Sequence, residues 1–229
     1  MASNLDRADP AYAGQAIYSR AFLGIYDFVA YGINCPYLWR CPKSRFVEHY
    51  DAHVSGRHLD IGVGTGLLLD ECRFPVADPQ ITLMDLNPNS LASAAARIRR
   101  YSPRTHRANV LGPWGLAPAR FDSVALCHLL HCLPGAMAAK APIVFAEASQ
   151  VLAPGGVLFG ATILGRGVHL SAPARGAAAI ANRRGALGNR EDDLVGLDRA
   201  LAQVFPTHEV EVEGAVALFA AATSCELNV

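Results

Sequence analysis

Three glycines at alternate positions, Gly62, Gly64 and Gly66, follow the apolar run His58-Leu59-Asp60-Ile61 and precede Leu67-Leu68-Leu69. A short apolar run, a glycine cluster and a second apolar run predict a buried strand, a tight turn and a helix. Lacking a Cβ, the glycines let the turn tighten and let backbone N–H groups reach a ligand at the helix N-terminus. A carboxylate answers them, because Asp85 ends the next apolar run, Ile81-Thr82-Leu83-Met84, nineteen residues beyond Gly66. An acid at that strand end accepts the hydroxyls of a ribose. The pairing predicts a ribose-bearing ligand.

A dinucleotide would use the same devices, but three features argue against one. The glycines follow G-x-G-x-G, whereas the dinucleotide turn has its third glycine one residue later. Some fifty residues precede the first strand. Two consecutive strand-like runs, His208 to Glu213 and Ala215 to Thr223, end the chain and predict an antiparallel hairpin.

The elements that must position these groups alternate along the chain. Residues 1–10 are polar and read as disordered. From Tyr12 to Tyr31 a helical stripe runs through Tyr18, Phe22, Ile25, Tyr26 and Val29, and Phe46 to His53 reads as a further helix. Strands are predicted at Arg57 to Val63, Ile81 to Asp85, Thr105 to Val110, Phe121 to Leu130 and Val157 to Leu164. Asn87-Pro88 reads as an N-cap with proline at the first helical position, ahead of the stripe Leu91, Ala94, Ala95 and Ile98. Pro142 should break a helix running from Gly135, which sets a helix start near Ala141 and a stop before Pro154-Gly155-Gly156. Further helices follow Ser171 and Asn189. The expected fold is α/β: a seven-stranded, mostly parallel, doubly wound Rossmann-like sheet with a C-terminal antiparallel hairpin and an N-terminal helical lid. One domain is expected over 1–229, with 1–56 as cap and 57–229 as core.

Four ordered segments carry a family resemblance. Leu59-Asp60-Ile61-Gly62-Val63-Gly64-Thr65-Gly66, Leu83-Met84-Asp85-Leu86-Asn87, Phe121 through Pro134, and Leu152-Ala153-Pro154-Gly155-Gly156 resemble the motifs of class I S-adenosylmethionine-dependent methyltransferases, over roughly 57–224. Trp39-Arg40-Cys41-Pro42 resembles a segment of small bacterial and fungal members, and the chain also resembles indole C3-methyltransferases of bacterial alkaloid pathways. The resemblance implies S-adenosylmethionine as cofactor, bound at the carboxyl ends of the strands. Asp60, Gly62 and Gly64 would cradle its amino-acid end and ribose edge. Asp85 would take the ribose hydroxyls and Leu86 the adenine face. Asn109 and Val110, expected to end the third strand, would meet the adenine amino edge; the family often has aspartate where Asn109 stands. Cys127 and His128, expected to end the fourth strand, would flank the sulfonium. Leu86 and Cys127 are equally explained as core residues, and Asn109 as a turn residue.

The acceptor reading is broader. Tyr12, Tyr18, Phe22, Tyr26, Phe28, Tyr31, Tyr37 and Trp39 gather in the front segment, where they would either enclose a flat apolar substrate or pack the helix on the core. Methylation at an indole carbon develops positive charge on the ring nitrogen, so an acceptor of its proton is sought among His128, His131, Tyr18 and Tyr26. Arg40 would pair either with the cofactor carboxylate or with a surface acid. A pericyclic catalyst or a regulatory partner on the same scaffold is the alternative function.

Twenty basic and twenty acidic residues cancel, which argues against nucleic-acid or anionic-membrane partners and for a small-molecule substrate. The basic run Arg97, Arg99, Arg100, Arg104 and Arg107 reads as a solvated helix end. Six cysteines without metal or disulfide spacing read as reduced thiols, so no metal is expected. No signal core or membrane-length apolar run is present, and a cytoplasmic location is expected. The aromatic front segment is also a candidate homodimer contact.

Overall fold

The structure is a computed structural model and describes residues 25–225. The expectations for Tyr12, Tyr18, Phe22 and the polar residues 1–10 lie outside the described residues. Seven strands form one sheet: β1 (Arg57–Ile61), β2 (Gln80–Asp85), β3 (Arg104–Arg107), β4 (Phe121–Cys127), β5 (Leu152–Ile163), β6 (Thr207–Glu213) and β7 (Val216–Ala222). Their order is β3-β2-β1-β4-β5-β7-β6. The first five pair in parallel, and β7 runs antiparallel to both β5 and β6. The expected seven-stranded sheet and terminal hairpin are both present.

Around the sheet lie α1 (Lys43–His53), α2 (Leu67–Glu71), α3 (Pro88–Arg97), α4 (Met137–Val151), α5 (Ala172–Arg183) and α6 (Leu194–Val204). Strand alternation divides the apolar residues between two cores. Val124, Leu126, Ala217 and Phe219 face α4 and α6, while Ala125, Cys127, Leu218 and Ala220 face the front segment, α1, α2 and α3. Both faces are therefore covered, as a parallel sheet requires. Asn87 caps α3 as expected, accepting from the Asn89 N–H at 2.9 Å; Ser171 caps α5, and α6 starts at Leu194 with Asp193 as its cap, a few residues beyond the start expected after Asn189.

Several boundaries differ. α4 begins at Met137 and carries Pro142 inside it. Proline there removes one intrahelical hydrogen bond. Burial of Met137, Ala141, Val144 and Phe145 on the same face offsets that loss, at about 1.5–3 kcal/mol for each large side chain. Lys140 anchors this first stretch: its buried ammonium donates to the carbonyls of Leu133 (3.1 Å) and Gly188 (3.0 Å) and pairs with Asp192 at 2.8 Å. β5 starts at Leu152, so Pro154-Gly155-Gly156 belongs to a strand, with a register shift between Phe121 and Ser123 absorbing the irregularity. β3 ends at Arg107 and β4 at Cys127, so Asn109, Val110 and His128 stand in the loops beyond those strands.

The largest correction concerns the front segment. A helical turn at 25–27 runs into a π-helix, Phe28–Leu38, in which Trp39 N–H bonds to Asn34 C=O five residues back. A stripe drawn with a 3.6-residue period cannot survive that widening. Ile25 is 57 % exposed, and Phe28 and Tyr37 are 71 % and 75 % exposed, whereas Trp39 is buried. Tyr26 and Tyr31, one widened turn apart, face the same side, with ring centroids 6.4 Å apart.

Candidate active site

The strand order reverses between β1 and β4, and parallel sheets bind ligands in the crevice at such a point. Register aligns the functional groups there: Asp60 pairs with Leu83 and Ala125, which sets Asp60, Asp85 and Cys127 at one edge of the sheet. A cavity partly open to solvent occupies that edge.

Its floor is the glycine turn. Gly62 and Gly66 take left-handed φ values of +74° and +76°, and a Cβ on Gly66 would stand 2.9 Å from the Cα of Ala94. The third glycine thus lets the turn pack against α3, one residue earlier than in the dinucleotide pattern. Beside Gly64 the nearest atom to an added Cβ is the Tyr26 ring, 3.9 Å away, so the backbone there is open to a ligand. Asp60 is buried beneath the turn, and its carboxylate accepts the Tyr50 hydroxyl at 2.7 Å. Burial and the neighbouring Asp60 hold the Tyr50 phenol well above its ordinary range, so it stays a donor. Tyr50 was not singled out in the sequence, although a carboxylate inside an apolar run requires a buried donor.

Asp85 lies at the end of β2, where its Oδ1 accepts the Asn87 N–H at 2.7 Å. Burial pushes its carboxyl up to about 6, against the stabilising N–H groups of Asn87, Leu86 and Val63. It therefore remains ionised at neutral pH. Leu86, Asn109 and Val110 line the same cavity. The Asn109 side-chain oxygen accepts the Leu111 N–H at 3.0 Å, so that oxygen is engaged within its own loop.

The opposite end is aromatic. His128 has φ +60°, which turns the chain out of β4 and sets its ring against Phe46 (4.5 Å between centroids), Tyr31 (5.7 Å) and His131 (5.5 Å). Burial lowers its imidazole to about 4, so the ring is neutral at physiological pH. Tyr26, Tyr31, Cys127 and Cys132 line this end with it. Burial holds the Cys127 thiol well above its ordinary range, so it remains protonated.

One expectation is corrected here, and the open reading of Arg40 is narrowed to the surface. His131 is not among the residues lining the cavity: its Nδ1 accepts the Ile163 N–H at 3.1 Å, which ties the loop after β4 to β5. Arg40 is exposed, and its backbone, with that of Trp39, packs against Gly214 at the tip of the β6–β7 hairpin. The basic run is likewise engaged, with Arg97 on Asp27, Arg100 on Asp70 and Arg107 on the Leu86 carbonyl. Among the described residues, no group of three or more His, Cys, Asp or Glu gathers as a metal site, and no helix is long and apolar enough to cross a membrane.

Comparison with known proteins shows the family to which the chain belongs. Residues 59–158 match the methyltransferase domain family. The chain is 46 % identical over 211 residues to demethylluteothin O-methyltransferase of Streptomyces thioluteus, covering 92 % of this chain and 91 % of that one. This protein belongs to the S-adenosylmethionine-dependent methyltransferases. A second relative, the physcion biosynthesis cluster O-methyltransferase of Aspergillus chevalieri, is 36 % identical over 219 residues, covering 95 % and 98 % of the two chains. The fold of this methyltransferase is similar to that of a Haemonchus contortus phosphoethanolamine N-methyltransferase solved with S-adenosylhomocysteine. That likeness has a TM-score of 0.70 at 15 % identity and covers 96 % of this chain and 61 % of the other. The cofactor of this methyltransferase is S-adenosylmethionine, and the residues present fit it: an open backbone cradle at Gly64, an ionised carboxylate at the end of β2, and an apolar wall at Leu86 and Val110.

Proposed function

We propose that this methyltransferase methylates a hydroxyl oxygen of a small, flat, unsaturated natural product. The observation that carries the proposal is the continuity of the cavity from the glycine turn and Asp85 to the ring cluster of Tyr26, Tyr31 and His128. The names of the two curated relatives support oxygen as the acceptor atom and a biosynthetic product as the substrate class. An indole C3 acceptor, which the sequence resemblance suggested, has no such support.

In this reading Asp60, held by Tyr50, and the backbone of Gly62 and Gly64 take the amino-acid end of the cofactor. Asp85 accepts the ribose hydroxyls, Leu86 and Val110 cover the adenine faces, and Asn109 meets the adenine amino edge. Cys127 packs beside the methionine part as a neutral thiol. When bound, the cofactor supplies the electrophilic methyl group and a thioether leaving group. The protein's task is then alignment and exclusion of water. Tyr26 and Tyr31 stack the acceptor ring, and a neutral His128 nitrogen accepts a hydrogen bond from the acceptor hydroxyl, directing the oxygen lone pair inward. As the oxygen takes the methyl group, the hydroxyl proton passes to this His128 nitrogen and on to solvent, and until then the neutral ring presents no competing charge to the sulfonium.

The test is calorimetric titration with S-adenosylhomocysteine of the wild type and Asp85→Ala, followed by product analysis on matched phenols, enols and indoles. Binding lost with Asp85 and a methyl ether product support the reading. A C-methylated indole would replace the acceptor, and an isomerised product without S-adenosylhomocysteine formation would replace the reaction.

A further inference from the structure

Asp27 lies outside the cavity, yet it joins three separate pieces of the wall. Its Oδ1 accepts the Thr65 hydroxyl at 2.5 Å, and its Oδ2 accepts the Arg97 guanidinium at 2.6 Å. Thr65 is buried between Gly64 and Gly66, inside the cofactor turn. Arg97 ends α3, the helix that begins three residues after Asp85. Asp27 itself belongs to the front segment, next to Tyr26, whose ring stands over Gly64 and lines the cavity. One carboxylate therefore ties the cover to both halves of the cofactor cradle. The Asp27 and Arg97 side chains are 25 % and 28 % exposed, so the pair is partly shielded from solvent. That shielding strengthens a charge-assisted contact over a fully exposed one.

We propose that Asp27 is a positioning residue that latches Tyr26 over the bound cofactor and so controls cofactor exchange. The inference rests on the assignment of the glycine turn and Asp85 to S-adenosylmethionine. With Thr65 as its partner in the turn, the latch senses the conformation of the backbone that carries the ligand, and release requires both bonds of Asp27 to break. Arg97 supplies the fixed end, since α3 is packed on the sheet through Leu91 and Ala94.

Stopped-flow displacement of S-adenosylhomocysteine tests the latch on wild type, Asp27→Ala, Arg97→Met, Tyr26→Ala and the Tyr26→Ala/Asp27→Ala double variant, with thermal unfolding recorded for each. Asp27→Ala should raise the dissociation rate about tenfold, as expected for losing one or two charge-assisted hydrogen bonds. Arg97→Met should raise it less, and remains informative if Asp27→Ala folds poorly. The KM for S-adenosylmethionine should rise with the dissociation rate, with little change in kcat. In the Tyr26→Ala background, Asp27→Ala should add almost nothing. An unchanged dissociation rate in both latch variants overturns the proposal, as does an equal acceleration with and without Tyr26. Should Asp85→Ala also bind S-adenosylhomocysteine normally, the cofactor-site assignment itself fails; if Asp85→Ala abolishes binding while the latch variants exchange at the wild-type rate, the latch alone fails.

Discussion

The glycine-turn end of the cavity, which the proposal gives to the cofactor, is made largely of backbone, whereas the opposite end, which it gives to the acceptor, is made of side chains carried by a widened helix and a strained loop. At the first end, left-handed glycines and strand-end carboxylates are fixed by sheet register, and little freedom remains. At the second, Tyr26 and Tyr31 share a face because the front segment is π-helical, and His128 enters because its backbone takes φ +60°. Both features cost conformational energy that the surrounding packing must offset. The contrast separates what a methyltransferase holds in common, a universal donor, from what varies, the acceptor. A backbone cradle tolerates little substitution, while a ring cluster can be recut by exchanging side chains.

The largest expected effect falls on the cofactor end. Asp85→Ala should weaken S-adenosylhomocysteine about 100-fold or more by calorimetry, the worth of two hydrogen bonds to a charged group at about 1.5–3 kcal/mol each. Acceptor KM at saturating cofactor should hardly move, and a comparable loss there would blur the two ends. Gly66→Ala should follow, lowering the unfolding free energy by about 2 kcal/mol in denaturant titration. The substitution demands a left-handed alanine and pushes a methyl to 2.9 Å from Ala94 Cα.

Acid should distinguish the ends next. Because Asp85 titrates at about 6 in the folded chain, its ionised form is lost as pH falls through that value. Cofactor affinity should then drop, approaching about tenfold per pH unit below 6. The sign for stability is opposite: a carboxyl raised by burial binds its proton more tightly when folded, so between pH 6 and the ordinary value of 3.8 this group favours the folded ligand-free chain. His128, lowered to about 4, stays neutral across most of that range and should leave acceptor binding flat. The smallest effect is expected from Tyr31→Leu, which should raise acceptor KM about three- to tenfold, one aromatic contact being worth about 0.5–1.5 kcal/mol. Cofactor affinity should be unchanged, and a loss there would extend the cofactor site beyond Tyr26 to Tyr31.

Local signals served the two ends unequally. The run ending at Asp85, the Asn87-Pro88 cap and the terminal hairpin were legible because each is written within a few residues. Pro142 misled, since the cost of one lost hydrogen bond was met by a buried face that also includes Lys140 and its partner Asp192, fifty-two residues later. A stripe with a period of 3.6 does not describe the front segment, because the turn there is wider. His131 has the type and the position of a site residue in the sequence, yet the tertiary fold commits its Nδ1 to the Ile163 N–H.

By itself, the sequence determined the α/β class, the glycine turn and the acid that follows it, because strand periodicity, turn chemistry and motif spacing are properties of adjacent residues. Only the tertiary structure decided that Tyr50 buries its hydroxyl on Asp60, that Tyr26, Tyr31 and His128 meet at one end of the cavity, and that Asp27 reaches Thr65 and Arg97. Apart from Tyr26 and Tyr31, five positions apart in one helical segment, these contacts join residues from ten to ninety-seven positions apart. No local preference encodes such a distance; the shared need to satisfy buried polar groups and fill a common core selects it.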